Sequence, residues 1–257
     1  MTILFRAEDL ALRFGGIRAV DQVSFEVREG EVFAIIGPNG AGKTTIFNMI
    51  SRLYNPTSGG MSFRGQNITT IPAHRVASLG IARTFQNIEL FGNATVLQNL
   101  LIGCHCHVRA AILSQIVFAP SARRDELAHR EKAEDVIAFL GLQRYRDALI
   151  SGLPYGVRKV VELGRALCTE PKLLLLDEPS SGLNTAETEV MGFWIEDIKK
   201  DLGITVIMVE HDMNLVRQVS DRVMALNYGR VIALGTSAEV QSHPEVIRAY
   251  IGGEAAA

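Results

Sequence analysis

The pattern of apolar and polar positions divides the chain into three parts. In the first third, residues 23–27 alternate between apolar and polar side chains, and residues 32–36 form an uninterrupted apolar run between two turn signals. Such a run is typical of a strand that is buried on both faces. The sequence therefore predicts strands in this part, followed by a glycine-rich turn and a helix over residues 43–53.

The middle third has a helical pattern. Thr95 precedes Gln98 by three positions at the start of an apolar stretch, which predicts a helix that begins with a capping box. Residues 123–140 repeat with a helical period and form a charged amphipathic helix. Four apolar residues are predicted to share the face of that helix that packs inward: Leu127, Val136, Ile137 and Leu140. We expect residues 88–164 to form a helical subdomain inserted into the rest of the chain.

The last third alternates between strand and helix patterns. Strands are predicted over residues 173–176 and 204–209, helices over residues 185–202 and 214–219, and a hairpin joins residues 223–226 to residues 230–234. This alternation predicts a mainly parallel sheet that is covered by helices on both faces. We expect one domain over residues 1–257, whose core subdomain consists of residues 1–87 and 165–253.

Composition narrows the classes of function. The 257 residues include 47% hydrophobic and 21% charged side chains, which is ordinary for a folded globular protein. The net charge of −2 gives no basic surplus to neutralise phosphates, so no nucleic-acid partner is predicted. No secretory signal is visible, and no apolar stretch approaches the roughly 20 residues that cross a bilayer. Three cysteines indicate a reducing compartment rather than a disulfide scaffold.

A glycine-rich segment predicts a phosphate-binding loop. Residues 37–44 match the pattern G-x-x-x-x-G-K-[ST] at every fixed position, between a predicted strand and a predicted helix. Glycines let the backbone wrap around a phosphate, and the helix adds its positive N-terminal end. Lys43 supplies a charge for the outer phosphates, and the Thr44 hydroxyl is a ligand for Mg²⁺. The predicted nucleotide contacts are Gly37, Pro38, Asn39, Gly40, Ala41, Gly42, Lys43, Thr44 and Thr45.

Two acids follow a later apolar strand. Asp177 and Glu178 come directly after the run 173–176, at the end of a parallel strand where such sheets bind ligands. Asp177 is predicted to hold Mg²⁺ through water, and Glu178 is predicted to activate the attacking water as a general base. The alternative for such a pair is a helix cap or a surface turn.

With these motifs in order, the chain resembles the ATP-binding cassette (ABC) family over nearly its whole length. The resemblance implies that Phe14 stacks on adenine and that Gln86 links the metal site to the helical subdomain. It also implies that residues 181–184 cross a dimer interface and that His211 touches the γ-phosphate. Without it, Phe14 would be read as a core aromatic and His211 as a structural histidine.

The family resemblance also implies a fold and a function. The fold is an α/β P-loop NTPase of the RecA-like type, with a mainly parallel sheet, an antiparallel β subdomain and an inserted helical subdomain. Residues 80–87, 95–100 and 235–250 resemble the ATPases of branched-chain amino acid importers, and the insertion over 104–130 resembles the longer of their two ATPases. This implies ATP and Mg²⁺, a second ATPase subunit, transmembrane permease subunits that contact residues 87–100, and an external solute-binding protein. The expected location is the cytoplasmic face of the inner membrane.

The signature segment departs from the family pattern. Where the family has Leu-Ser-Gly-Gly-Gln, residues 153–157 read Leu-Pro-Tyr-Gly-Val. Pro154 has neither a hydroxyl nor an N–H group to offer a phosphate, and Val157 has no amide side chain. Tyr155 and Gly156, at the start of a helix predicted to run to about residue 168, are expected to face the nucleotide of the opposing subunit.

Several alternatives remain open at this point. A GTPase or a small-molecule kinase could use the same phosphate loop, but no Asn-Lys-x-Asp stretch for guanine occurs. An ABC protein outside transport, or one for urea, amides or aromatic acids, is a second alternative, and a subunit weak in catalysis is a third. Residues 104–107 alternate Cys and His, but adjacent ligands cannot converge on one tetrahedral ion, so we expect a packing or surface feature. The pairs Arg123-Arg124 and Arg158-Lys159 are expected on solvated helix faces.

Overall fold

Two β-sheets form the framework of the molecule. The computed structural model describes residues 2–84, 88–107 and 120–254. The first sheet is antiparallel, with the strand order β2-β1-β4-β5. Its strands are β1 (Ile3–Phe14), β2 (Ile17–Arg28), β4 (Ser58–Phe63) and β5 (Gln66–Asn67). This sheet is the antiparallel part of the predicted fold.

The second sheet carries the parallel strands. Its order is β10-β9-β3-β8-β7-β6, and every neighbouring pair is parallel except the β9–β10 hairpin. Its strands are β3 (Val32–Ile36), β6 (Ile81–Arg83), β7 (Leu173–Asp177), β8 (Thr205–Val209), β9 (Arg222–Asn227) and β10 (Arg230–Gly235). The predicted parallel sheet and hairpin are confirmed.

Helices cover the second sheet and fill the middle of the chain. Their bounds are α1 (Lys43–Ile50), α2 (Val96–Gly103), α3 (Pro120–Phe139), α4 (Tyr155–Leu167), α5 (Thr185–Lys200), α6 (Met213–Val219), α7 (Ser237–Gln241) and α8 (Pro244–Glu254). The capping box at Thr95 is present. Helix α1 ends before the predicted position because Arg52 adopts a left-handed conformation, with φ of 62°. None of the helices in the described ranges combines the length and apolarity needed to cross a bilayer.

The prediction of the buried face of α3 is partly wrong. Val136, Ile137 and Leu140 are buried as expected, but the side chain of Leu127 is 59% exposed. The apolar cluster reaches only the C-terminal half of this helix, from Ala133 onward. The periodicity of a helix indicates which residues share a face, but it does not indicate how far along the helix that face remains covered.

The second sheet separates two apolar clusters. On β3, Phe33 and Ile35 point into a cluster shared with the first sheet and α1, whereas Val32, Ala34 and Ile36 point into a cluster shared with the helices. Alternate side chains of a strand face opposite sides of the sheet, so a strand buried on both faces is apolar throughout. Burying one such large side chain contributes about 1.5–3 kcal/mol. The strand that leads into the glycine-rich segment is therefore buried on both faces.

Candidate active site

Three predicted motifs meet at one edge of the parallel sheet. Strand β3 pairs with β8, and β8 pairs with β7, all in parallel, so their carboxyl ends lie side by side. The phosphate loop follows β3, the acid pair ends β7, and His211 follows β8. Ligands of open parallel sheets bind at this edge. The topology thus brings the phosphate loop, Asp177, Glu178 and His211 together.

Two glycines of the phosphate loop occupy positions that exclude a side chain. Gly37 has φ of 150°, and a Cβ atom there would lie 2.3 Å from the carbonyl oxygen of Leu226. Gly42 has φ of 104°, and its Cβ would lie 2.6 Å from the carbonyl oxygen of Ala19. Both conformations are left-handed and favour glycine. The loop is held in its shape by backbone that surrounds it on two sides.

Lys43 closes the loop from within. Its ammonium group donates hydrogen bonds to the carbonyl oxygens of Gly37, at 2.6 Å, and Pro38, at 3.0 Å. Burial lowers the pKa of this ammonium, while the carboxylates of Glu178 and Asp177 oppose that shift. A buried cation facing two acids is placed to receive the charge of a phosphate. The rest of the loop ranges from a buried Ala41, through partly buried Pro38 and Thr45, to exposed Asn39, Gly40 and Thr44.

Asp177 is buried and held on one side. Its Oδ2 atom accepts a hydrogen bond from Arg83 Nη2 at 2.6 Å, and Arg83 also donates to Asn48 and Ser51 on and after α1. Its Oδ1 atom is buried and has no hydrogen-bond partner among the described residues. A buried carboxylate oxygen without a donor is a candidate ligand for a metal or its water. The sequence reasoning missed Arg83, which carries no motif of its own.

Glu178 has a constrained backbone. Its φ of 50° is left-handed, a conformation that costs a residue other than glycine on the order of 1–3 kcal/mol. Its N–H group donates to the carbonyl of Val209 at 2.9 Å. Its carbonyl accepts from the N–H of Ser181, at 3.1 Å, and from the ammonium of Lys159, at 3.0 Å. Strain that is fixed from both ends is typical of functional positions.

A buried glutamate connects the acid loop to the histidine loop. Glu210 Oε1 accepts from the N–H of Ser180 at 2.8 Å, and Oε2 accepts from the N–H groups of His211, at 2.7 Å, and Asp212, at 3.1 Å. The side chain of His211 is 60% exposed, with Nδ1 3.7 Å from Glu210 Oε2. His211 is therefore held through its backbone N–H group, while most of its imidazole is exposed. Glu210 is a second residue that the sequence reasoning missed.

The signature segment begins helix α4. Pro154 is the N-cap residue, and no side chain accepts a hydrogen bond from the first turn. The Tyr155 hydroxyl donates to the carbonyl of Ser181 at 3.4 Å. Gly156 lies so close to Glu187 that a Cβ atom would be 2.5 Å from its Oε1. The segment thus packs against the loop that follows the acid pair, within the same chain.

The remaining predicted contacts lie apart from this cluster. Phe14 is at the end of β1, is 47% exposed, and meets the ring of Tyr54 edge-on at 5.2 Å between centroids. Its exposure excludes a role as a core aromatic. Gln86 lies outside the described residues, so the structure does not place it.

The prediction of a solvated basic pair is wrong for Lys159. Arg123 and Arg124 are exposed as expected, but Lys159 is 4% exposed. Its ammonium is buried because α4 turns this residue toward the acid pair, where it meets the carbonyl of Glu178. Glu162 lies three positions further along α4, but the other acids near Lys159 come from the ends of β7 and β8, and spacing along α4 does not indicate them.

Cys104 and His105, the first two residues of the alternating Cys and His segment, differ in burial. Cys104 is buried, and its thiol donates a hydrogen bond to the carbonyl of His129 at 3.6 Å, whereas His105 is exposed. Cys168, at the end of α4, lowers the pKa of the Cys104 thiol. Cys104 is therefore a packing feature, as expected. Its spatial neighbour Cys168 is 64 positions away in the sequence, and no local pattern indicates their proximity.

Comparisons with known proteins agree with this geometry. A family model described as "ABC transporter" matches residues 20–181, and a second, described as "Branched-chain amino acid ATP-binding cassette transporter", matches residues 230–256. The chain is 38% identical to the high-affinity branched-chain amino acid transport ATP-binding protein LivG of Salmonella typhimurium, over 97% of this chain and 98% of that protein. It is 37% identical to BraF of Pseudomonas aeruginosa over the same shares of the two chains.

A solved structure matches the whole fold. The ADP conformation of MJ1267, an ATP-binding cassette of an ABC transporter, superposes with a TM-score of 0.86 at 33% identity, over 98% of this chain and all of that chain. Fold and site define a P-loop protein that binds and hydrolyses nucleotides. The chain belongs to the ABC transporter family, and it is an ATP-binding cassette ATPase. This membership excludes the GTPase and small-molecule kinase alternatives.

Proposed function

We propose that this chain is the ATP-hydrolysing subunit of an importer for branched-chain or related amino acids. The observation that carries the proposal is the similarity to LivG and BraF, which spans nearly the full length of both chains. The match of the C-terminal residues 230–256 to a branched-chain amino acid family model supports it independently of the phosphate loop. Comparable ATPases for urea, amides or aromatic acids are the alternatives for the solute.

Mg²⁺ would be held with the phosphates of ATP by the Thr44 hydroxyl and, through water, by Asp177, with Gln86 as a further ligand from outside the described residues. The donor set fits a hard cation, because these groups offer oxygen ligands. The buried and unpartnered Oδ1 atom of Asp177 supports the assignment. A bound Mg²⁺ neutralises charge on the phosphate oxygens.

The protein's own groups then divide the work of hydrolysis. Phe14 stacks on adenine, and the loop over residues 37–45 holds the phosphates with its N–H groups and Lys43. Glu178 accepts a proton from the attacking water, and its constrained backbone fixes the direction of its side chain. His211 hydrogen-bonds the γ-phosphate from the neighbouring loop.

The second half of each site comes from an opposing ATPase subunit. Two copies, or this chain and a related one, pair head to tail, so that Tyr155 and Gly156 of one subunit face the nucleotide of the other. The uncapped start of α4 supports this role, since its first-turn N–H groups have no side-chain acceptor. Because Pro154 and Val157 lack polar side chains, backbone N–H groups of α4 would make the contact with the opposing nucleotide.

A groove on the outer surface is suited to the membrane subunits. It has a volume of about 680 Å³ and lies between the core and residues 88–164, which we propose move as one subdomain. Leu53, Phe91 and Ile102 line it and are 57%, 59% and 43% exposed. Exposed apolar side chains gathered in one groove mark an interaction site. The chain would thus work at the cytoplasmic face of the inner membrane, together with permease subunits and an external solute-binding protein.

Uptake by cells tests this function. In cells whose own copy of the chain carries Glu178→Gln, we expect uptake of radiolabelled leucine to fall by about tenfold or more, because transport needs hydrolysis. Glucose uptake serves as the control. If leucine uptake stays normal while uptake of urea or aromatic acids is lost, the proposed solute is wrong and the affected compound takes its place. If uptake of all of these compounds stays normal, a role in import is contradicted.

A further inference from the structure

Helix α4 carries a buried cation that reaches the acid pair of its own chain. Lys159 lies one turn into α4, is 4% exposed, and donates from Nζ to the carbonyl oxygen of Glu178 at 3.0 Å. A lysine this deeply buried is uncommon unless it is paired. Its position therefore calls for a role beyond packing.

The surroundings of Lys159 are acidic. Burial lowers the pKa of its ammonium, and the carboxylates of Glu162, Glu210, Glu178 and Asp177 all act in the opposite direction. These acids come from α4 and from the ends of β7 and β8. The ammonium thus lies between the helix and the edge of the sheet that carries the chemistry.

The contact falls on the strained residue. Glu178 has φ of 50°, its N–H group is fixed by Val209 on β8, and its carbonyl is fixed by Lys159 and Ser181. Fixing the groups before and after the Cα atom fixes φ and ψ, and these determine where the side chain begins. Without Lys159, a donor to this carbonyl is lost, and the backbone can relax from the left-handed region.

We propose that Lys159 is a positioning residue for ATP hydrolysis: it holds the backbone of Glu178 in the geometry that aims the carboxylate, and it ties that geometry to α4. The inference rests on the proposed role of Glu178 as general base. Since α4 begins with Tyr155 and Gly156, the helix that is presented to the opposing nucleotide also controls the catalytic glutamate of its own chain. A shift of α4 on pairing is transmitted to Glu178 through one hydrogen bond.

The variant Lys159→Met tests the proposal, because it removes the ammonium and retains an unbranched apolar stem. We expect kcat to fall by about 10- to 100-fold, the effect of a small misplacement of a catalytic group. The KM for ATP and the Kd for ATP should stay within about twofold, since the phosphate loop is untouched. Lys159→Arg, which keeps a charged donor, should recover most of kcat.

Lys132→Met is the matched control. Lys132 Nζ lies 3.1 Å from Glu170 Oε1, so it also joins the helical region to the segment before β7, but it does not touch the acid pair. The kcat of Lys132→Met should equal that of the wild type. A purely structural role of Lys159 would lower the midpoint of urea unfolding and leave kcat per folded molecule unchanged, and that result would overturn the proposal.

A double variant separates this inference from the role of Glu178. In single-turnover hydrolysis, Lys159→Met combined with Glu178→Gln should be no slower than Glu178→Gln alone, because Lys159 acts through Glu178. If the rate losses of the two single variants multiply in the double variant, the proposal is overturned. If Glu178→Gln retains wild-type hydrolysis, then the role of Glu178 itself is wrong; if it is inactive while Lys159→Met keeps wild-type kcat, only the present inference fails.

Should Lys159→Met not fold, the pair Lys159→Met and Glu162→Gln removes a buried charge of each sign and leaves less charge uncompensated. The same loss of kcat with an unchanged Kd for ATP is expected. Wild-type kcat in this folded double variant would overturn the proposal.

Discussion

Two groups of helices begin in different ways. Helices α2, α5, α6 and α7 begin with Thr95, Asn184, Asp212 and Thr236, and each of these side chains accepts a hydrogen bond from the first turn. Helices α1 and α4 begin with Gly42 and Pro154, and neither has a side-chain cap. Among these six α-helices, for which the structure describes the N-cap, the two without a side-chain cap are the ones that we assign to phosphate, one in each half of the proposed site.

A helix that binds phosphate through its first turn lacks the stability that a side-chain cap would add. A side-chain cap contributes about 0.5–2 kcal/mol to stability by occupying a backbone N–H group of the first turn. A helix that leaves those groups open forgoes that stabilisation in the free protein and has donors available for an anion. In α1 the chain compensates through Lys43, which binds two carbonyls of its own loop. In α4 the first turn instead contacts the loop after the acid pair, through the Tyr155 hydroxyl, which donates to the carbonyl of Ser181.

The largest expected effect comes from disturbing the start of α1. In Gly42→Ala the new Cβ would lie 2.6 Å from the Ala19 carbonyl, at φ of 104°, so the loop must shift. We expect the Kd for ATP to rise by about 100-fold or more, since several N–H donors lose their aim together. Isothermal titration measures this. Gly30→Ala is the control, because Gly30 has a similar left-handed φ of 76° and open space around it.

A smaller effect is expected at the start of α4. Pro154→Ser supplies both a cap and a hydroxyl, and Pro154→Ala supplies neither. We expect the serine variant to be more stable than the alanine variant by about 0.5–1 kcal/mol in urea unfolding. Its ATP hydrolysis should be about fivefold faster or more, if a charge-assisted hydroxyl contact contributes about 1–3 kcal/mol across the dimer. Equal hydrolysis by the two variants would mean that the backbone alone makes this contact.

The capped group supplies the smallest expected effect on ATP binding, and it is the reference for both variants. Thr236→Ala removes the capping box of α7, which contributes no residue to the proposed site, and should cost about 1 kcal/mol of stability. Its Kd for ATP should not change. A loss of ATP affinity in this variant would contradict the division between capped and uncapped helices.

The features that could be predicted are those determined by neighbouring residues. The phosphate loop lies within eight positions, the capping box at Thr95 within four, and both follow from local backbone geometry. The buried strand β3 could be predicted because burial on both faces requires a continuous apolar run. The placement of the acid pair and His211 at one edge followed from parallel pairing.

The features that were missed depend on tertiary contacts. Lys159 was expected in solvent because acids follow it in the sequence, yet its partner is the carbonyl of Glu178. Arg83 binds Asp177 and Glu210 binds the N–H group of Ser180, partners that are distant in the chain, and neither residue belongs to a recognised pattern. Leu127 was expected to be buried because it shares a helix face with buried residues. The part of α3 that packs on the core begins only at Ala133, so Leu127 lies beyond it toward the N-terminus.

The most direct test of this account compares the wild type with Glu178→Gln, by ATP hydrolysis and by gel filtration in ATP and Mg²⁺. We expect the wild type to hydrolyse ATP and the variant to lose at least about 100-fold in rate, because the general base is gone. The variant should still bind ATP and should elute as a dimer, held together by the uncapped start of α4 across each nucleotide. If the variant hydrolyses ATP at the wild-type rate, or stays monomeric with ATP bound, the proposed site is contradicted.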